Sequence, residues 1–216
     1  SASINASGGQ MQINQSTGKA VINWQDFSIG QGAGVTFNMP SSGSAVLNRV
    51  TGSTSSTIAG TLGANGKVYL VNPNGIAITS SGAVKVGGGF TASTLDIRDD
   101  DFLAGRLSFS GTSAARVSNS GLIEAGEGGF AALIANGGVD NDGLISVPSG
   151  RVALGTGSAI TLDPEGDGFM QILAPAVGDQ AGGVSSRGRI ASEAGRVEIK
   201  ASSAAKAVRD LVNVSG

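Results

Sequence analysis

Lys67-Val68-Tyr69-Leu70-Val71-Asn72-Pro73-Asn74-Gly75-Ile76-Ala77-Ile78, followed by Ser81-Gly82-Ala83-Val84-Lys85-Val86, is the stretch whose reading decides the fold. Short apolar, β-branched segments flank Asn-Pro-Asn-Gly. In that tetrapeptide Pro fixes φ, while Asn and Gly tolerate the left-handed region. The reading is strand, tight turn, strand. The same grammar extends upstream through Met11–Asn14, Ala20–Trp24, Val35–Phe37 and Ala45–Leu47, separated by clusters of Gly, Ser, Asn and Pro. Such spacing signals many short strands and few helices.

Downstream the segments repeat. Val117, Val139, Val184 and Val212 each stand four residues before a glycine, at Gly121, Gly143, Gly188 and Gly216. Ile123, Ile145 and Ile190 follow the first three of these glycines two residues on. The glycine spacings are 22, 45 and 28, and the middle one reads as two periods with a degenerate rung near Leu162–Gly166. A second glycine in each unit, at Gly129, Gly150 and Gly195, introduces Phe130–Leu133, Arg151–Leu154 and Arg196–Ile199, and Gly66 introduces Lys67–Leu70 in the same way. A unit of two strands cannot bury its own apolar face. Stacked at about 4.8 Å, however, each strand pairs with its counterpart one turn on, and the aliphatic side chains form an interior column. Leucine-rich repeats lack support because their fixed Leu and Asn positions are missing, and propeller blades need about 40 residues per unit. The class is therefore all-β, a parallel β-helix or solenoid. Residues 1–55, with Trp24, Phe27 and Phe37, read as an N-terminal β cap and first strands, and residues 56–216 as rungs that continue past the fragment's end. Ser202–Val212 has the composition of a short helical turn.

Composition narrows the chemistry. The chain has 216 residues, 36 of them Gly, a formal charge of −2 and 14% charged residues, so nothing draws it to nucleic acid. It contains neither Cys nor His, which removes thiolate or imidazole metal sites, Ser-His-Asp triads and Cys-His nucleophiles. No apolar run approaches the roughly 18 residues of a membrane span. Ser1–Ile4 reads as a mature or trimmed start.

The run Val71–Gly75, then Val86-Gly87-Gly88-Gly89-Phe90-Thr91-Ala92-Ser93-Thr94-Leu95-Asp96-Ile97, resembles the amino-terminal secretion domain of filamentous-haemagglutinin-type exoproteins of two-partner secretion. Ala20–Trp24, Phe27–Gly30, Val35–Asn38 and Ala45–Val50 fit the same family in the same order, and the likeness spans residues 3–175. It implies a right-handed parallel β-helix with a cap and extra-helical hairpins. It also implies a signal peptide already removed, export through periplasm and outer membrane to the cell surface, and recognition by a cognate outer-membrane transporter with periplasmic POTRA domains and a barrel. The full protein would act in adhesion, with host or matrix glycans as further partners, and the domain would be a monomer without cofactor, metal or catalysis. Asn72, Pro73, Asn74 and Gly75 are the expected site, as transporter recognition, structural turn or both. A second, earlier Asn-Pro-Asn found in some members is replaced here by Phe37-Asn38-Met39-Pro40-Ser41-Ser42, which suggests the high-molecular-weight adhesin subgroup.

Other residues carry bland readings. Asp163-Pro164-Glu165-Gly166-Asp167-Gly168 matches the start of an EF-hand loop, but its twelfth position is Ala174, so a solvated turn is expected. Asp99–Asp101 reads as an exposed acidic loop. Glycosidase chemistry would need two carboxylates at a set separation, for which Glu124 with Glu127 and Asp140 with Asp142 are the candidates. A glycan-binding face would show a row of exposed aromatics, yet Phe102, Phe109, Phe130 and Phe169 are of a type more often found in cores.

Overall fold

The computed structural model describes residues 2–179, 181–202 and 212–214, so most of the helical turn expected at Ser202–Val212 lies outside the described residues. Strands stack on three faces of a solenoid. The first face runs, all parallel, through Gln10–Gln15, Gly34–Asn38, Thr61–Ala64, Ala83–Val86, Leu122–Ala125, Leu144–Ser146 and Arg189–Ala191. The second runs through Lys19–Trp24, Ala45–Val50, Lys67–Val71, Gly89–Ser93, Phe130–Ala135, Arg151–Thr156 and Arg196–Ala201. The third holds Ser56–Ile58, Ile76–Ile78, Val117–Asn119, Val139–Asn141, Val184–Ser186 and Val212–Val214. The fold is a parallel β-helix of seven rungs among the described residues.

Register builds the interior. Val35, Leu62, Val84, Ile123, Ile145 and Ile190 stand one above another on the first face, as do Val46, Val68, Phe90, Ala131 and Val152 on the second. These columns meet in one buried cluster between the faces. The recurring glycines mark corners where successive rungs touch: a Cβ at Gly143 would lie 2.2 Å from the Gly121 carbonyl oxygen, and one at Gly188 2.1 Å from that of Gly143. Between valine and glycine in the first three of these units sits a buried polar pin. Asn119 Nδ2 donates to Asn141 Oδ1 at 2.9 Å, and Asn141 Nδ2 donates to Ser186 Oγ at 3.2 Å.

Across the expected division at 55/56 the ladder is continuous: Gly34–Asn38 and Ala45–Val50 pair straight on to Thr61–Ala64 and Lys67–Val71. The early rungs escape the glycine pattern because Ala33 and Ser44 occupy the corners where Gly60 and Gly66 stand one rung later; their carbonyls accept from the Thr61 and Lys67 amides. What caps the end is Ala2–Ser7, an exposed strand antiparallel to Gln10–Gln15 that covers the first ladder edge. The expectation that the 45-residue spacing is two periods is corrected. Ile145 pairs directly with Ile190, so one rung step separates them, and residues 158–175 leave the helix in between.

That excursion and an earlier one, residues 95–112, form a small antiparallel sheet outside the solenoid. Leu107–Ser110 pairs with Ala159–Leu162, which pairs with Met170–Ala174. Asp99–Asp101 is not a loop but the start of the helix Asp99–Ala104, where carboxylates suit the positive end of the backbone dipoles. The sheet covers the outer side of the second face. Leu47, Tyr69, Phe130 and Ala153 look outward from the rungs into a second buried cluster with Phe102, Phe109, Leu162 and Phe169. All six residues of Phe130–Ala135 are consequently buried, whereas first-face strands such as Leu122–Ala125 keep an exposed outward position at Glu124.

Charged side chains on the second face fasten the covering layer. Lys19 Nζ donates to the Leu103 carbonyl at 2.9 Å at the helix end, and Arg49 bonds Asp96 at 2.8 Å and Asp99 at 2.6 Å. Glu198, 8% exposed, accepts the Phe169 and Met170 amides at 3.0 and 3.1 Å and the Lys200 ammonium at 2.7 Å. Burial pushes the Glu198 carboxyl upward, but the Lys200 ammonium and the two amides outweigh it and hold it below its ordinary 4.5. A carboxyl depressed in the fold stabilises fully above its unfolded value and loses that contribution as pH falls through the folded one. Urea denaturation should therefore show stability falling on acidification below about 4.5. Glu198→Gln should flatten that fall and cost about 1–3 kcal/mol near neutral pH.

Candidate functional site

Asn72–Gly75 turns the chain from the second face to the third in the middle of the ladder. Asn72 is fully buried, and its side chain is used three ways. Nδ2 donates to the Thr54 carbonyl at 3.0 Å and to Ser56 Oγ at 2.9 Å in the preceding rung, while Oδ1 accepts the Asn74 amide at 2.9 Å. That last bond is an Asx turn, which fixes the two residues after Asn72. Asn74 Nδ2 reaches back to the Gly52 carbonyl at 2.9 Å. Gly75 adopts φ 109, a left-handed backbone that a side chain would strain, and its carbonyl accepts the Ser56 amide. Pro73 lacks an N–H where none is required, and its carbonyl accepts from Ser113 Oγ just past the end of the first excursion.

Three of the four residues thus look into the protein or along the ladder. Pro73 is exposed, Asn74 half-buried, Asn72 and Gly75 buried. The sequence motif is brought together as a corner that bonds the loop before it (Gly52–Ser56) and the loop after it (Ser113–Arg116). Two rungs on, Asn136 does related work without the motif: Nδ2 donates to the Ser113 and Val177 carbonyls at 3.2 and 3.0 Å, and Oδ1 accepts the Val177 amide at 2.8 Å. Sequence reading missed this residue, and its one available signal was an Asn placed just ahead of the Gly137-Gly138 pair.

The remaining candidates are engaged elsewhere. Asp163 Oδ1 accepts the amides of Glu165 and Gly166 at 3.2 and 2.8 Å. Arg151 donates to the Gly166 carbonyl and Arg196 to that of Asp167, while Lys67 Nζ lies 3.7 Å from Glu165. The Asp163 carboxylate thus serves its own loop while the loop's carbonyls take the two guanidiniums, and among the described residues no three acidic side chains gather as a metal-holding group. Asp140 is held by Arg116 at 2.7 Å and Asp142 by Arg187 at 2.9 Å, pairs that tie neighbouring rungs. The hydrogen bond from Arg187 draws the exposed Asp142 carboxyl down from its ordinary value. Phe102, Phe109, Phe130 and Phe169 are all buried, leaving no aromatic row on that face.

A family model described as the TPS secretion domain matches residues 1–216. The chain belongs to the TPS secretion domain family. Over 91% of its length this TPS domain superposes on 52% of the HMW1 secretion domain from Haemophilus influenzae, with a TM-score of 0.80 and 34% identity. It aligns over its full length with 97% of the filamentous hemagglutinin secretion domain at a TM-score of 0.61, where 18% identity makes the likeness one of fold. Heme/hemopexin-binding protein of Haemophilus influenzae is 46% identical over 96 residues, 44% of this chain and 10% of that protein. The chain spans about a tenth of the length of the curated relatives it matches. TPS domains belong to exoproteins exported through the outer membrane to the cell surface or medium, each with a cognate outer-membrane transporter, and the family is not one of enzymes.

The corner makes unequal demands on its members. Asn72→Ala should lower stability by about 1–3 kcal/mol, because it strands the buried Ser56 hydroxyl and the Thr54 carbonyl. Pro73→Ala, at an exposed position, should stay within about 0.5 kcal/mol. Urea midpoints of the purified variants measure both.

Proposed function

We propose that Asn72–Gly75 serves secretion in two separable ways. Asn72, Asn74 and Gly75 fix the third-rung corner on which later rungs stack, and Pro73 with the exposed edge of Asn74 forms part of the surface read by the transporter. The observation that carries this reading is the division of the tetrapeptide itself, with Asn72 fully buried and Pro73 exposed beside it. The transporter's periplasmic POTRA domains would take the chain before it folds, and its barrel would pass it outward amino terminus first. Folding outside then starts on the capped early rungs, since pairing onto an existing edge is easier than opening a new ladder.

The full-length exoprotein acts in adhesion on this reading, through sequence other than this domain, with host or matrix glycans as partners. A second reading rests on the 46% identity to heme/hemopexin-binding protein: the whole protein would then capture haem or hemopexin. The domain works as a monomer in either case.

Export separates the two roles. With a signal peptide restored and the cognate transporter co-expressed, extracellular protein should fall for Asn72→Ala in step with its lost stability. It should fall for Pro73→Ala with the urea midpoint unchanged. Parental export of Pro73→Ala would leave the turn with an architectural role alone, and export of the parent without the transporter would remove the secretion reading.

A further inference from the structure

The ladder and the outer sheet depend on each other in one direction only. The cluster between the three faces contains no residue of 95–112 or 158–175, and the rung strands pair without them, the flanking Thr94, Arg116, Gly157 and Gly183 being bonded into the ladder. The outer cluster, by contrast, is assembled from three sources at once: Phe102 and Phe109 from the first excursion, Leu162 and Phe169 from the second, and Tyr69 and Phe130 from the rungs. Its polar fastenings run along the whole solenoid. Lys19 lies in the first rung, Arg49 in the second, Lys67 in the third, Arg151 in the sixth, and Arg196 with Glu198 in the seventh. These anchors are side by side only after their rungs have stacked.

We infer that residues 95–112 and 158–175 form a strap that closes as a separate last step and opens as one unit without unfolding the ladder. Closure joins two excursions through the Leu107–Ser110 and Ala159–Leu162 pair, and it is completed by Glu198, which takes the Phe169 and Met170 amides. Until then the outer apolar side of the second face, including Tyr69, Phe130 and Ile134, faces solvent. Taken with the secretion reading, the geometry times this burial to the emergence of residues 196–200. The domain would then gain its second core only once its seventh rung is outside, and the opening of the strap itself does not depend on that reading.

Hydrogen exchange followed by mass spectrometry on the whole chain, in urea below the global transition, tests this apart from export. Peptides covering 107–110, 159–162 and 170–174 should exchange together, roughly tenfold or more faster than those covering Lys67–Val71 and Phe130–Ala135. Glu198→Gln should speed the strap by the factor its lost stability sets, with the ladder peptides still the slower set. The chain has no Cys, so Ser108→Cys with Thr161→Cys, whose wild-type oxygens lie 3.3 Å apart across the strand pair, can lock the strap by oxidation. Oxidation should slow all three strap peptides, and reduction should restore them. Exchange of strap and ladder at one common rate, or a lock that protects only its own strand pair, would overturn the inference.

Discussion

No rung of this protein can satisfy itself. A strand of four to six residues buries one side and leaves a row of amides and carbonyls along its edge, and only the next rung, in register, removes both exposures at once. Everything else follows from that mutual need. The first edge has to be closed by something other than a rung, which is what the antiparallel Ala2–Ser7 does. The corners have to hold the register, because a slip of one residue would turn Val68 and Leu70 outward and Tyr69 and Val71 inward.

Register is held by small residues and buried amides rather than by bulk. The glycines at the corners sit where backbone meets backbone, with carbonyl oxygens of the previous rung closer than any Cβ tolerates. Their spacing was therefore legible in the sequence, since a Cβ would clash at these close approaches and the recurring glycine marks the turns of the later rungs. The Asn119–Asn141–Ser186 ladder was not picked out, although it stands between the same valines and glycines. Asn and Ser are common in this chain, and nothing in the sequence distinguishes a buried amide that bonds the next rung from one that caps a solvated turn. The same limit applied to Asn-Pro-Asn-Gly: its turn-forming chemistry was readable, whereas the bonds from Asn72 to Thr54 and Ser56 depend on which loop lies beneath it.

The strap was the least legible part, for a physical reason. Its strands alternate and end like rung strands, so the period alone absorbed 158–175 into a missing turn. What separates strap from rung is the partner, and Leu107–Ser110 meets Ala159–Leu162 only because rungs four to six bring the two exits to one side. A trace of this was present in the second-face strands. Phe130–Ala135 is apolar without alternation, as a strand buried on both sides must be. Charges at Arg49, Arg151 and Arg196 recur on the strands of this face, where they look like solvated decoration until the covering segments supply carbonyls and carboxylates to bond.

On the proposed export route the domain is unfolded on one side of a membrane and stable on the other, and a solenoid suits that requirement better than a globule of equal length. Its contacts are made between neighbours in the order in which an emerging chain supplies them, so each rung folds on a finished edge with a short loop to close. The absence of Cys means that no disulfide within the chain can fix a folded form before passage. The outer cluster breaks the neighbour-only rule, joining residues of the first rung to residues of the seventh through Lys19 and Glu198. Long-range contacts of this kind slow folding when they must form first, but they add stability at little kinetic cost when they form on a completed ladder. Local stacking to begin and a long-range cover to finish together reconcile easy folding from one end with a finished domain that resists fraying.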